Sequence, residues 1–211
     1  MNVLAFPRRG RANAIVQARE PSVLHSIAAP GVATTIWQRD PAPGVTRWIN
    51  ALAPENLPRL RSTVTVGAVE TCVHAACDMA GTPPGRFRDM LASDIAALGL
   101  IMTEVMGTPL LQLRLDVVST NACRRFHLDQ MTARMLCTYR GAGTQFAQPG
   151  QEHSPVSMMA GSVALLRGAR WPGGEETTLL HRSPPIEGTG ETRLLAVIDP
   201  ASDHATNDGM H

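Results

Sequence analysis

The sequence predicts an α+β protein, mainly β in its C-terminal half, built as an antiparallel sandwich or barrel of the jelly-roll kind with the earlier helices packed outside. Three observations carry this. Apolar residues recur at spacings of three and four only before Gly107, and after Pro109 the period changes to two. No helical stretch of comparable length returns after that point. The chain also holds 18 Gly and 16 Pro in 211 residues, enough to supply turns between many short elements.

Taken in order, residues 1–30 mix Arg8, Arg9, Arg11 and Arg19 with Pro and Gly and show no clear period, which predicts a loosely ordered arm ahead of a single domain over 31–200. Val66, Val69, Val73, Ala76 and Ala80 form one helical stripe, stopped by Gly81 and Pro83. Phe87, Leu91, Ile95, Leu98, Met102 and Val105 form a second, stopped by Gly107 and Pro109, so the helical part covers about 65–106. In LLQLRLDVV, Leu111, Leu113, Leu115 and Val117 alternate with Gln112, Arg114 and Asp116, the pattern of a half-buried strand. Strand-like runs follow at 133–139, 161–168, 176–181 and 193–199, so the β part covers about 110–200. Residues 201–211 read as a polar tail.

Nineteen basic and eighteen acidic residues leave a net charge of +1, too little for a broad nucleic-acid-binding field. All nineteen are Arg. Without lysine the chain has no Schiff-base, P-loop or general-base lysine, and every fixed cation is a guanidinium suited to forked contacts with oxyanions. Cys72, Cys77, Cys123 and Cys137 form no CxxC pair and read as four buried thiols in a reducing compartment. No signal peptide and no run of the ~20 apolar residues needed to span a membrane is seen. The expectation is a soluble cytoplasmic protein acting on a small molecule, without a nucleic-acid or membrane partner.

The chemistry concentrates in FHLD, LLHRSPP and ETRLLAVID. On an extended backbone residues two apart share a face, so His127 and Asp129 can enter one cavity, and His181 can join them from another strand. Two imidazoles and one carboxylate occupy one face of an octahedron and leave open positions, the ligand set of non-haem Fe(II) oxygenases. Arg193 follows His181 on the next strand. The remaining candidates read more plainly. His153 sits in an apparent loop, His74 on a helix, and His204 and His211 in the tail. Arg124, Arg125, Arg140, Arg167, Arg170 and Arg182 cluster in sequence around the pocket, most of them as exposed cations, with some available to an anionic substrate. Ser183 lacks the GxSxG elbow of a hydrolase nucleophile, and Cys137 or Cys123 as nucleophile would need a helix N-terminus or a nearby cation, which strand placement argues against for Cys137.

The order HxD, then AGSVALLRG, then a distal His, then an Arg 12 residues on resembles the double-stranded β-helix (cupin-like) of the Fe(II)/2-oxoglutarate dioxygenase superfamily over about 110–200. The resemblance implies Fe(II), or Zn(II) or another divalent metal, at His127, Asp129 and His181, which would be the catalytic centre. It also implies 2-oxoglutarate as cosubstrate, its far carboxylate on Arg193. Where several members carry a hydroxyl residue two after that arginine this chain has Leu195, and Tyr139 is the candidate to replace it. The runs FHLD, LCTYRGAGTQF, LLRGARWPG and LLHRSPPI further resemble a bacterial family catalogued as domain of unknown function 1826, which implies no established activity and a loose link to metal homeostasis. Two functions follow as expectations. One is a dioxygenase-like oxidoreductase. The other is a non-catalytic cupin-like metal-binding protein that senses, stores or delivers zinc or another divalent ion, and Arg193 separates the two.

Overall fold

The change of hydrophobic period at Pro109 falls between the longest helix and the strand that follows it, and the helical layer meets the sheet along the stripes expected for both. The computed structural model describes residues 10–201. The chain runs through β1 (Arg11–Ala12), β2 (Ala14–Ala18), a 3-10 segment (Pro21–Ala28), β3 (Val32–Trp37), α1 (Pro43–Ala51), β4 (Leu60–Thr65), α2 (Val69–Met79) and α3 (Arg86–Met106). It continues through β5 (Leu110–Val118), β6 (Ala133–Arg140), β7 (Gln145–Ala147), β8 (Val156–Ser157), β9 (Val163–Arg167), β10 (Glu176–Thr177), β11 (Leu180–Arg182) and β12 (Arg193–Pro200). The longest helix, α3, ends where Gly107 turns left-handed at φ 66° and donates its N–H to the Thr103 carbonyl, a conformation that costs glycine little.

Seven strands form the major sheet in the order β2-β3-β9-β6-β12-β5-β4, antiparallel except for β2 beside β3. A three-stranded sheet, β11-β7-β8, and the short pair β1-β10 complete the β structure. The architecture is therefore mixed α and β around one large sheet. Alternation assigns each face of that sheet a task. Leu111, Leu113 and Leu115 of β5, Met135 and Cys137 of β6 and Leu194, Ala196 and Ile198 of β12 face the helices, where Val69, Val73, Leu91, Ile95, Leu98 and Met102 bury against them. The opposite face carries Leu136, Ala164, Leu166 and Val197, and Phe146 of β7 covers it together with Met158 and Leu179. Burying a Leu or Phe side chain contributes about 1.5–3 kcal/mol, so these two layers, on either side of one sheet, fix its orientation.

The N-terminal half departs from expectation. Residues 10–30, read as part of a loose arm, are built into the fold: β2 is an edge strand of the major sheet, and Val23, Leu24 and Ile27 are buried in its core. Arg167 draws this segment in by donating to the carbonyls of Ile27 and Ala29 while pairing with Glu175 at 2.8 Å. Residues 1–9, the polar tail from 202 onward and its His204 and His211 lie outside the described residues. The strands β3 and β4 place part of the large sheet before residue 107, and 176–181 divides into β10 and β11. The thiols are all free, but only Cys77 and Cys137 are buried; Cys123 is exposed, with φ 56°. Among the described residues no helix is long and apolar enough to cross a membrane.

Candidate metal centre

Between β5 and β6, residues 119–132 cross the minor-sheet side of the major sheet without regular structure of their own. Two sets of backbone bonds place this segment. His127 and His181 form an antiparallel bridge, each N–H donating to the other's carbonyl at 3.0 Å. Ala169 donates to the Asp129 carbonyl and Arg170 to that of Met131, which pins the segment to the turn after β9. That turn requires glycine. A Cβ at Gly168 would stand 2.0 Å from the Met131 carbonyl oxygen and 3.0 Å from that of Asp129.

The result is a cluster of three side chains that could together hold a metal ion. One donor atom from each of His127, Asp129 and His181 lies within 4.8 Å of the other two. The His127 and His181 rings stand 4.5 Å apart between centroids. Asp129 faces both, with Oδ1 3.6 Å from His127 Nε2 and Oδ2 3.2 Å from His181 Nε2. His127 Nδ1 donates to the Arg125 carbonyl at 2.8 Å, which leaves Nε2 as the lone-pair nitrogen on the Asp129 side in the neutral ring.

Arg134 completes the arrangement from β6. Its Nη1 lies 2.8 Å from Asp129 Oδ2, and its Nε and Nη2 donate to the two carboxylate oxygens of Asp199 at 2.8 Å. The neighbouring charge has a marked effect on ionisation. Burial opposes the Asp129 carboxylate, but the two histidines beside it and the Arg134 charge outweigh it and hold the carboxyl well below the usual carboxylate range. The Asp129 carboxylate beside it raises the His127 pKa, against partial burial. Asp129 Oδ2 is nonetheless buried without a well-directed hydrogen bond, an arrangement that a cation bound at the cluster would satisfy. Two imidazoles, one ionised carboxylate and a fixed tautomer fit a divalent metal with vacant coordination positions.

Arg193 enters on the same face of the sheet as Leu195 and Val197, which line a cavity of about 140 Å³ beside the cluster. Its side chain is fully buried, and Ser183, one of its hydrogen-bond partners, lines that cavity. Nε donates to the Ala142 carbonyl at 2.7 Å, Nη1 to Ser183 Oγ at 2.7 Å, and Nη2 to Thr138 Oγ1 at 3.4 Å. Among the described residues it has no salt-bridge partner: Glu191 is engaged by the Ala142 N–H, and Asp199 by Arg134. Burial lowers its pKa. Gly141, at φ 80°, makes room for this entry, since a Cβ there would meet Arg193 Cγ at 2.8 Å.

Tyr139 is a correction. Its parity, shared with Met135 and Cys137, turns it to the helical face, where it is buried and its hydroxyl donates to Asp94 Oδ2, on the far side of the sheet from Arg193. The hydroxyls next to Arg193 are Ser183 and Thr138. Ser183 is discernible by its position two after His181 on an extended run, which puts both side chains on one face. Thr138 and Arg134 gave no signal, because their roles depend on which face of β6 meets the metal cluster. Of the clustered arginines, Arg182 donates to Gln145 and lies over the Phe126 ring, while Arg140 and Arg167 hold carbonyls elsewhere in the fold. His153 contributes nothing to the cluster.

The fold is that of a class to which plant dioxygenases belong. The rice dioxygenase for auxin oxidation superimposes with a TM-score of 0.52 at 14% identity, over 92% of this chain and 84% of that one. Dioxygenase for auxin oxidation 1 from Arabidopsis thaliana, in its binary complex with 2-oxoglutarate, superimposes with a TM-score of 0.51 at 14% identity, over 92% and 94%. By sequence, residues 18–199 match the family described as "Protein of unknown function (DUF1826)", and the chain belongs to that family. No curated protein matches it in sequence.

Proposed function

We propose that the protein is a mononuclear Fe(II)- and 2-oxoglutarate-dependent dioxygenase whose two β layers act as a double-stranded β-helix around the His127, Asp129 and His181 centre. One observation carries the reading: Arg193 is a fully buried guanidinium on the metal side of the sheet with only neutral oxygens for partners. Burying a charge without a counter-charge is costly, and a carboxylate ligand would relieve it by a forked, charge-assisted contact. A protein that only carries metal has no use for such a group.

In this reading His127, Asp129 and His181 hold the metal, and Arg193 receives the distal carboxylate of 2-oxoglutarate once Ser183 Oγ turns aside from Nη1. Bound together, Fe(II) and 2-oxoglutarate supply oxidation by dioxygen, with the cosubstrate decarboxylated to succinate. The chain's own residues orient and protect. The Arg125 carbonyl fixes the His127 tautomer, Arg134 holds the Asp129 carboxylate in place, and Leu136, Leu195 and Val197 exclude water from the cavity.

Calorimetric titration of metal-loaded protein without oxygen tests this. Arg193→Leu is expected to abolish 2-oxoglutarate binding while keeping metal binding. Unchanged 2-oxoglutarate affinity in the variant, or metal-loaded wild type that does not bind 2-oxoglutarate, overturns the assignment and favours a metal-binding protein without turnover.

A further inference from the structure

The face of the major sheet that carries the metal centre extends past the cover of the minor sheet onto β5 and β4. There it is paved with arginine. Arg61 of β4 and Arg114 of β5 are direct cross-strand partners, so their side chains rise from the same face with Cβ atoms about 5 Å apart. Like charges so placed repel each other and destabilise the sheet. The only nearby carboxylate in the lining, Asp116, stands 3.7 Å from Arg114, while Arg59 donates to the Val117 carbonyl at 3.0 Å. Arg61 has no ion pair among the described residues. Three guanidinium groups thus meet one carboxylate along a groove of about 540 Å³.

The groove is continuous with the metal cavity. Arg114, Asp116, Cys123, Ser183 and Leu195 line both. Along one row of register partners, Arg61 on β4 is followed by Arg114 on β5, Val197 on β12 and Leu136 on β6. The last two are apolar residues of the cavity floor. With strands about 4.8 Å apart, the β5 arginine is rooted roughly 10 Å from β6, whose Arg134 contacts Asp129. A small molecule whose charged end rested on the arginines would lay its apolar part over Val197 and Leu195, toward the triad.

We infer that Arg61 and Arg114, helped by Arg59, form the substrate subsite for an organic oxyanion, a carboxylate or a phosphate monoester, held by forked guanidinium contacts with its carbon skeleton directed at the metal. The inference rests on the dioxygenase reading for the word substrate, but not for the anion site itself. An oxyanion between Arg61 and Arg114 removes the repulsion that the empty pair carries.

The probes are phenyl phosphate and phenylacetate, with neutral benzyl alcohol as control, titrated calorimetrically into zinc-loaded protein saturated with 2-oxoglutarate. Metal and 2-oxoglutarate affinities are measured on the same samples. Wild type is expected to bind at least one of the two anions saturably and the alcohol not at all, and the stronger of the two anions identifies the headgroup. Arg61→Ala/Arg114→Ala is expected to weaken that binding by roughly tenfold or more while retaining metal and 2-oxoglutarate. Arg61→Gln alone is expected to raise the Tm of the ligand-free protein, which keeps the charge-repulsion argument testable should the double variant fold poorly. Anion affinity equal in wild type and variant, no saturable binding of either anion, or an unchanged or lower Tm for Arg61→Gln overturns the subsite. Loss of 2-oxoglutarate binding in wild type with anion binding intact overturns the dioxygenase reading and leaves the anion site standing.

Discussion

His127 and His181 exchange backbone hydrogen bonds at 3.0 Å in both directions, so the two imidazoles are registered by their main chains before any metal arrives. The segment carrying His127 has no strand of its own, and this single bridge ties it to β11. Side-chain removal at His127 therefore leaves the bridge in place.

His127→Ala is expected to lose bound divalent metal, from about one equivalent to a small fraction, while the metal-free variant stays within about 1 kcal/mol of metal-free wild type in denaturant unfolding. Added metal should raise the Tm of wild type and not of the variant. Full metal stoichiometry in His127→Ala, measured by elemental analysis, would remove this residue from the ligand set.

Gly168→Ala tests the turn that supports Asp129. Its new methyl would press on the Met131 carbonyl, a backbone group that cannot swing away as a flexible side chain can. A loss of about 1–3 kcal/mol is expected, together with weaker metal binding as the 129–131 segment shifts. A variant with wild-type stability and metal affinity would show that this close approach does not hold the ligand.

Tyr139→Phe separates the two faces of the sheet. Removing the hydroxyl that donates to Asp94 should cost about 2 kcal/mol, the scale of a hydrogen bond to a charged group. Calorimetry should give unchanged 2-oxoglutarate affinity. A fall in that affinity would place Tyr139 back beside the cosubstrate.

The metal-free protein should weaken in acid partly through Asp129. Its carboxyl is held below its ordinary value of 3.8, so its contribution is present above that pH and is lost as pH falls toward the depressed folded-state pKa. His127 has the opposite sign. Its raised pKa gives stability present below the ordinary 6.5, lost as pH rises through the higher folded-state value. Asp129→Asn should flatten the acid limb of a stability-versus-pH curve measured by urea unfolding, and an unchanged limb would contradict the assignment.

Much of this was legible in the chain. The stripes of α2 and α3 and the alternation of β5 state their partners directly, because each has one buried and one less buried face. The spacing of His127 and Asp129, with His181 further on, was enough to bring out the three side chains that the fold draws together. By contrast β3, whose residues from Val32 to Ile36 are all buried, has no alternation to read. The segment 10–30 looked loose because Arg167 and Glu175, far along the chain, hold it. Tyr139 shows the limit of parity: it gives which residues share a face, and only the assembled sheet gives which face meets the metal.

The same closure has a kinetic side. The N–H of Gly31 donates to Glu175, 144 residues later, and Arg167 reaches back 140 residues to Ile27. β1 meets its partner β10 only once Glu176 and Thr177 have been made. A chain emerging from the ribosome must therefore hold β2 and β3 unpartnered by β9 until Val163–Arg167 has been made, and such non-local pairing makes for slow folding and a long-lived open edge. The last gap in the sheet is then closed by β12, which is made after β9 and stands between β6 and β5.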